Sequence, residues 1–355
     1  MSVNLTRREA LATLAGLGFS SVLVACGNSQ SPDNQNNRQQ QIEDVVVRVA
    51  TLRGPSSIGL VNMMNDTSGI PGDGGDLSSV GNPEEGSGIT YAYQISSAPD
   101  EVTPMVAQGT CDICFVPSNA ASILYDRTEG NVELIDINTL GVLSVVTGDS
   151  SIQQWEDLAG HTVVTSGQGS TPEYVIEYLL DQAGIADRVE VTYESEHQQV
   201  ATELASDPAV IAILPQPFTT VVETQNSGVH SVINLNDVWD RYAGDSRSKF
   251  VLGSTIARKD FVEQHPQAVV DFLQKHQESV QKCNDDPDGT ADLVVQAGII
   301  AKKPIAQAAI PKCNVVCITG DEMEDAQRGF LQVMSDANPD SIGGALPGED
   351  FYYKG

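Results

Sequence analysis

Apolar positions recur along the chain with two alternating periods. Short β-branched runs predict buried strands, and apolar residues spaced three and four apart predict helices. Residues 45–52 read VVVRVATL, a buried strand broken by Gly54-Pro55-Ser56-Ser57. A helix is expected over 57–64. Further strands are expected at 89–95, 112–116 and 132–138, with helices over 100–108 and up to Tyr125 between them. The pattern then restarts. Strands are expected at 162–165, 189–193, 210–214 and 232–235, with helices at 152–158, 172–183, 196–205 and up to Gln225. The helix over 172–183 is the best marked. Ile176, Leu179, Leu180 and Ala183 share one face, Pro172 sits in the first turn and Gly184 at the end.

Strands alternating with helices specify the α/β class, here as two consecutive sets and so two lobes, each a mainly parallel sheet flanked by helices. Beyond Lys249 a strand at 250–257 is followed by helices at 261–283, 290–297, 304–310 and 322–335. That is too little strand for a third sheet, so this part is expected to pack on the first lobe. The expected division is 44–142 with 251–355 as lobe 1, and 143–250 as lobe 2. Two chain crossings, near 140–147 and 247–253, would then form a hinge. The glycine-rich acidic stretch 69–87 reads as a surface loop.

The first 25 residues read as a signal peptide. Arg7 and Arg8 precede an apolar stretch too short to span a bilayer. Leu23-Val24-Ala25-Cys26-Gly27 resembles a bacterial lipobox, whose cysteine thiol receives lipid, so Cys26 is the expected acylation site (a palmitate-type chain). Thr6-Arg7-Arg8-Glu9-Ala10-Leu11 also looks like a twin-arginine signal, and general export remains open beside it. Residues 26–43 form the lipidated cysteine and a polar linker with no apolar face. The mature protein is therefore expected outside the cytoplasm, lipid-anchored to the cell membrane.

At 355 residues the chain is long enough for two domains. It carries 48 Asp and Glu against 19 Lys and Arg, a net charge of −29. Such a field repels polyanions, which argues against nucleic acid as a partner, and disfavours broad contact with anionic lipid. A monomer is expected. Five cysteines follow Cys26. Export permits disulfides, and Cys283 paired with Cys313 or Cys317 would staple the C-terminal region. Cys111-x-x-Cys114 has redox spacing but lies in a strand sequence, so buried structural thiols are the better reading. No second ligand pair makes a zinc site with it.

In open α/β sheets, ligands bind at loops beyond the carboxyl ends of strands. Here those loops supply Arg53, Gly54, Ser56 and Ser57, then Ser118 and Asn119, then Asn138. In the second set they supply Gly167, Gly169, Ser170, Thr171 and Gln216. Glycine admits close approach to the backbone, and N–H groups at helix starts attract an anion or carbonyl. Plain N-capping by Ser and Thr is the rival reading for any one loop. Tyr174, Phe218 and Trp239 offer rings for stacking, against a rival role in packing. His161, His197, His230, His265 and His276 are scattered, and only His197 follows a strand end that would line the cleft. No GxxxxGK[ST], HExxH or GxSxG occurs, and Gly167-x-Gly169 lacks a third glycine. No catalytic residue, cofactor or metal is expected.

Taken together, these features resemble the extracytoplasmic solute-binding proteins of ABC transporters, in the branch of sulfonate, nitrate, taurine and thiamine-precursor binders. The matching segments are the lipobox at Cys26, Leu52-Arg53-Gly54-Pro55, 100–104 (DEVTP), 116–121 (VPSNAA), 137–141 (INTLG), 166–174 (SGQGSTPEY), 214–218 (LPQPF) and 342–347 (IGGALP). The resemblance implies a type II periplasmic-binding fold. It further implies capture of a small anionic or heterocyclic solute, and partners in an ABC permease and ATPase. The alternatives are an enzyme like the thiamine-pyrimidine synthase on the same fold, or a surface ligand sensor without a transporter. The long 69–87 loop departs from the family pattern.

Overall fold

The computed structural model describes residues 44–97, 99–243 and 248–355. The expected signal peptide, Cys26 and the whole 26–43 linker lie outside these residues, as does Arg247 of the second crossing. Eleven strands and twelve α-helices make up the described chain. β1 (Val45–Leu52), α1 (Pro55–Thr67), β2 (Ile89–Ser96), α2 (Pro99–Ala107), β3 (Ile113–Pro117), α3 (Ser118–Arg127) and β4 (Val132–Leu140) come first. There follow β5 (Leu143–Thr147), β6 (Thr162–Ser166), α4 (Thr171–Gln182), β7 (Glu190–Glu194), α5 (His197–Ser206), β8 (Ile211–Pro215), α6 (Phe218–Gln225), β9 (His230–Asn234) and α7 (Leu235–Tyr242). The last part holds β10 (Val251–Arg258), α8 (Lys259–Gln264), α9 (Pro266–Asp285), α10 (Pro287–Gln296), α11 (Lys303–Ala309), β11 (Val315–Ile318) and α12 (Gly320–Ala337).

One sheet has the order β11-β4-β10-β3-β1-β2 and the other β7-β6-β8-β5-β9. β1 pairs in parallel with β2 and β3, and β6 with β7 and β8. β10 is antiparallel to both its neighbours, and so is β5. The reason is geometric. Each of these two strands enters its sheet directly from the other, so it starts where the neighbouring strands finish. Leu143 pairs with Pro215 at the end of β8, and Gly253 with Pro117 at the end of β3.

Two sequence expectations change here. The first crossing is only Gly141-Val142, because residues 143–147 form β5, whose apolar and hydroxyl residues are buried between β8 and β9. The C-terminal part also contributes β11, a short strand on the edge of the first sheet beside β4.

Apolar burial supplies the main stabilisation on both faces of each sheet. One face of the first sheet packs Val47, Val49 and Phe115 against Ile58, Leu60, Phe272 and Ile310. Its other face packs Val102, Leu124 and Phe330, and this core runs on into the second sheet through Trp239, Leu179 and Trp155. Trp239 has no exposure, stacks on Phe250 at 5.7 Å and meets Phe330 at 5.4 Å. It is a core residue, which removes it from the stacking candidates.

The 69–87 loop covers the open edge of β2, where exposed backbone groups invite foreign strands. Leu77 is buried, and its N–H donates to Gln94 Oε1 at 3.1 Å. Gly75 has φ +80, and a Cβ there would collide with the Tyr93 carbonyl. Cys111, Cys114, Cys283, Cys313 and Cys317 are all free, so the bridge expected from Cys283 is not formed. Cys111 and Cys114 are fully buried among apolar residues. No described helix is long and apolar enough to cross a membrane.

Candidate functional site

The carboxyl ends of β1, β3 and β4 lie beside the first crossing, as do those of β6, β8 and β9 in the other sheet. The helices that follow β1, β3, β6 and β8 therefore point their N-termini at the space between the sheets. Ser57 is fully buried. Its hydroxyl donates to the Leu52 carbonyl, closing the turn into α1. Ser56 is half-buried and lies 3.4 Å from Thr139 Oγ1. Thr139 donates to Asn138 Oδ1 at 2.9 Å, and Asn138 Nδ2 donates to Thr255 Oγ1 at 3.1 Å. Thr255 in turn donates to Asp136 Oδ1 at 2.9 Å. A buried polar chain thus runs from the start of α1 into the first lobe.

At the start of α3, Ser118 Oγ lies 3.0 Å from Ser254 Oγ, which donates to Gln327 Oε1 at 3.1 Å. Gln327 Nε2 donates back to the Ser118 carbonyl at 3.2 Å. Its neighbour Asn119 reaches across to the second lobe. Thr171 Oγ1 donates to Asn119 Oδ1 at 2.9 Å, and the Asn119 N–H donates to Thr171 Oγ1 at 3.4 Å. Both residues are buried. A second cross-link joins Lys312 to Glu223 on α6 at 3.4 Å.

The 166–171 loop largely satisfies itself. Ser170 Oγ donates to the Gly167 carbonyl at 2.6 Å, and the Gly169 N–H donates to the Glu173 carboxylate. Tyr174 is half-buried near it, its hydroxyl raised by burial and by Glu173 and Glu177. Arg53 is exposed and donates to the Gly298 carbonyl at 2.6 Å, within its own lobe. Gly54 has φ +150 as the N-cap of α1.

Gln216 lines an open cavity of about 380 Å³ between the lobes, together with Gly141 and Val142 of the crossing. Ser144 and Asn234 come from the second lobe, and Lys312 and Asn314 from the first. Asn314 Nδ2 donates to the Gly141 carbonyl at 3.1 Å, as does Asn236 Nδ2 at 2.8 Å. The lining is mostly amides and hydroxyls, with one cation. A surface groove along α5 is lined by Glu194, Glu196 and Glu203. His197 touches Ser166 Oγ and lies 5.3 Å from the Phe218 ring, and burial pushes its imidazole down to about 4. It is neutral at pH 7.

The structure thus joins Asn119 with Thr171, links Ser56 to Asn138 only through Thr139, and places Gln216 at the interlobe cavity. Arg53, Gly169 and Ser170 are engaged within their own lobes. Sequence reasoning missed Ser254, Thr255, Gln327, Lys312 and Asn314. Ser254 and Thr255 carried a signal, two hydroxyls inside an apolar strand; Lys312 and Asn314 carried none.

Residues 84–248 match the family model described as ABC transporter, phosphonate, periplasmic substrate-binding protein. Over this segment, just under half of its length, the chain is similar to the periplasmic substrate-binding proteins of ABC transporters. Its fold is shared with an ABC transporter protein from Parabacteroides distasonis at 20% identity. That match covers 88% of this chain and 99% of the other, with a TM-score of 0.71. The periplasmic aliphatic sulphonate binding protein of Escherichia coli is 12% identical, covering 84% and 89%, with a TM-score of 0.64. The alkanesulfonate-binding protein of Xanthomonas axonopodis, bound to MOPS, is 9% identical, covering 83% and 94%, with a TM-score of 0.60. No curated protein matches the chain.

Proposed function

We propose that the protein captures a small phosphonate- or sulfonate-type anion between its lobes and hands it to an ABC permease driven by an ATPase. Residues 44–142 and 251–355 act as one jaw and 143–250 as the other. The chain works as a monomer, tethered to the cell membrane through a lipid on Cys26 after removal of residues 1–25. The observation that carries this reading is the interlobe cavity at Gly141-Val142, with Lys312 as its cation and Gln216, Ser144 and Asn314 as neutral donors. Amides and hydroxyls recognise tetrahedral oxyanions without full charge neutralisation. A single lysine, partly shared with Glu223, suits one negative charge better than several in a chain of net charge −29. The family description and the sulfonate-binding neighbours support the same solute class.

Titration calorimetry with methylphosphonate, ethanesulfonate, phosphate and nitrate tests it. Lys312→Ala and Gln216→Ala should each weaken the best binder, the lysine by roughly tenfold to a hundredfold, as expected for a charge-assisted hydrogen bond of about 1.5–3 kcal/mol. Absence of binding to every anion in the wild type, or unchanged affinity in both variants, would overturn the reading. In cells, Cys26→Ser should leave the protein off the membrane fraction; retention there refutes the anchor.

A further inference from the structure

Three segments far apart in sequence each deliver a metal-ligating side chain to one point in the first lobe. Asp136 comes from β4, Cys317 from the adjoining β11, and His276 from α9, which packs on that sheet. Their carboxylate, thiol and imidazole ligand atoms all lie within 4.8 Å of one another. His276 Nδ1 is 3.2 Å from Asp136 Oδ2. Around tetrahedral zinc, with bonds of about 2.0–2.3 Å, ligand atoms stand roughly 3.3–3.8 Å apart. Small side-chain adjustments would therefore close this group on an ion.

The surroundings favour the same reading. The Asp136 and His276 side chains have no exposure. Asp136 Oδ1 accepts from Thr255 Oγ1 at 2.9 Å, the kind of outer hydrogen bond that orients a carboxylate ligand. The His276 ring is clamped edge-on by Phe115 at 5.3 Å and stacked on Phe272 at 5.7 Å. Its Nε2 is buried without a hydrogen-bond partner among the described residues, so its one polar tie runs to the cluster. A histidine and carboxylate held for packing alone would be a costly core pair. An ion of charge +2 would balance one carboxylate and one thiolate, leaving a neutral site. Cys317 is half-buried on an edge strand, which offers a way in.

We propose that Asp136, His276 and Cys317 form a binding site for one zinc-type divalent ion, separate from the solute cavity. Binding breaks the Cys317 S–H bond. The proton leaves to solvent and the sulfur lone pair takes the ion, with no change of oxidation state. The test uses the exported protein, treated with chelator and then with Co²⁺ or Zn²⁺ alone. The expected result is one ion per chain after dialysis, a thiolate-to-cobalt charge-transfer band, and a raised thermal midpoint. Cys317→Ser should lose the band and weaken retention at least tenfold, while Cys283→Ser keeps both. As a readout that needs no variant, Zn²⁺ should shield Cys317 from alkylation in the wild type. No band and no retained metal in the wild type, equal retention in Cys317→Ser, or unprotected Cys317 would each overturn the proposal. Solute affinity is measured separately, so failure here leaves the solute reading standing.

Discussion

Thr171 and Asn119 hold each other across the two lobes: the threonine hydroxyl donates to the Asn119 side-chain oxygen at 2.9 Å and accepts the Asn119 backbone N–H at 3.4 Å. Each sits at the start of a helix following a sheet strand, α3 in one lobe and α4 in the other. The pair is a latch between the jaws. Thr171→Val keeps the shape and removes both bonds, leaving Asn119 Oδ1 short of a donor. A buried polar group so orphaned costs about 1–3 kcal/mol. The open form should gain by that amount, and small-angle scattering should show a larger radius of gyration than the wild type without loss of secondary structure. Solute affinity should fall by roughly fivefold to a hundredfold if closure accompanies binding. Equal radii and equal affinity would show that the latch carries nothing.

A largely buried ion pair stands at the other end of the first sheet from the cleft. Asp112, 3% exposed, accepts Arg48 Nη2 at 2.6 Å, Arg48 Nε at 2.9 Å and the Arg48 N–H at 2.9 Å, with Arg258 Nη2 at 3.6 Å. The bond to Asp112 is what raises the Arg48 guanidinium. Asp112→Asn leaves the Arg48 guanidinium without its counter-charge, while Arg258 keeps Asp260 at 3.0 Å, and should cost about 3 kcal/mol. Urea denaturation should show a lower midpoint with the slope unchanged.

His197 gives the protein an acid-sensitive element. Burial lowers its folded-state value to about 4, against about 6.5 in the unfolded chain. The unfolded state therefore binds the proton first. The contribution is intact above about pH 6.5 and is lost as pH falls toward 4, on the order of 3 kcal/mol in full. His197→Gln should flatten that part of the stability–pH curve relative to the wild type, read as the difference in thermal midpoints between pH 7 and pH 4.5. Parallel curves for the two proteins would refute it.

Gly75 is fixed by two constraints at once, its φ of +80 and the Tyr93 carbonyl against it. Gly75→Ala should destabilise by about 1–3 kcal/mol. It should also raise amide exchange along β2, whose edge the loop covers. Gly81→Ala, where a Cβ meets open space, is the control and should be close to neutral.

Much of this architecture was legible in the chain. The β-branched runs and the helix at α4 lie within a residue or two of their predicted places, because each is bounded by Gly or Pro and periodic within. β5 was not, since LSVVT is too short to separate from a linker until its pairing with β8 and β9 is seen. β11 failed for the same reason. The strand-end loops were readable as places, but not as contacts. Nothing in the sequence says that Thr171 meets Asn119 rather than solvent, or that Arg53 turns to Gly298. Those choices are made between residues 52 and 245 positions apart in the chain. The Asp136, His276 and Cys317 group is the extreme case, because its three members share no motif spacing.

The placement of β10 also sets the order in which the molecule can be completed. β10 lies in the middle of the first sheet, between β3 and β4, yet it is made after the whole second sheet. On a growing chain, β5 to β9 can pair as soon as Asn234 has emerged, since all their partners are already present. At that moment β4 has no neighbour in its own sheet, and β3 has one free flank. The first half of the protein to be synthesised is thus the last to close, and β10 is the keystone that closes it. A truncation just before Val251 should leave a folded second lobe carrying an unpaired, aggregation-prone first one.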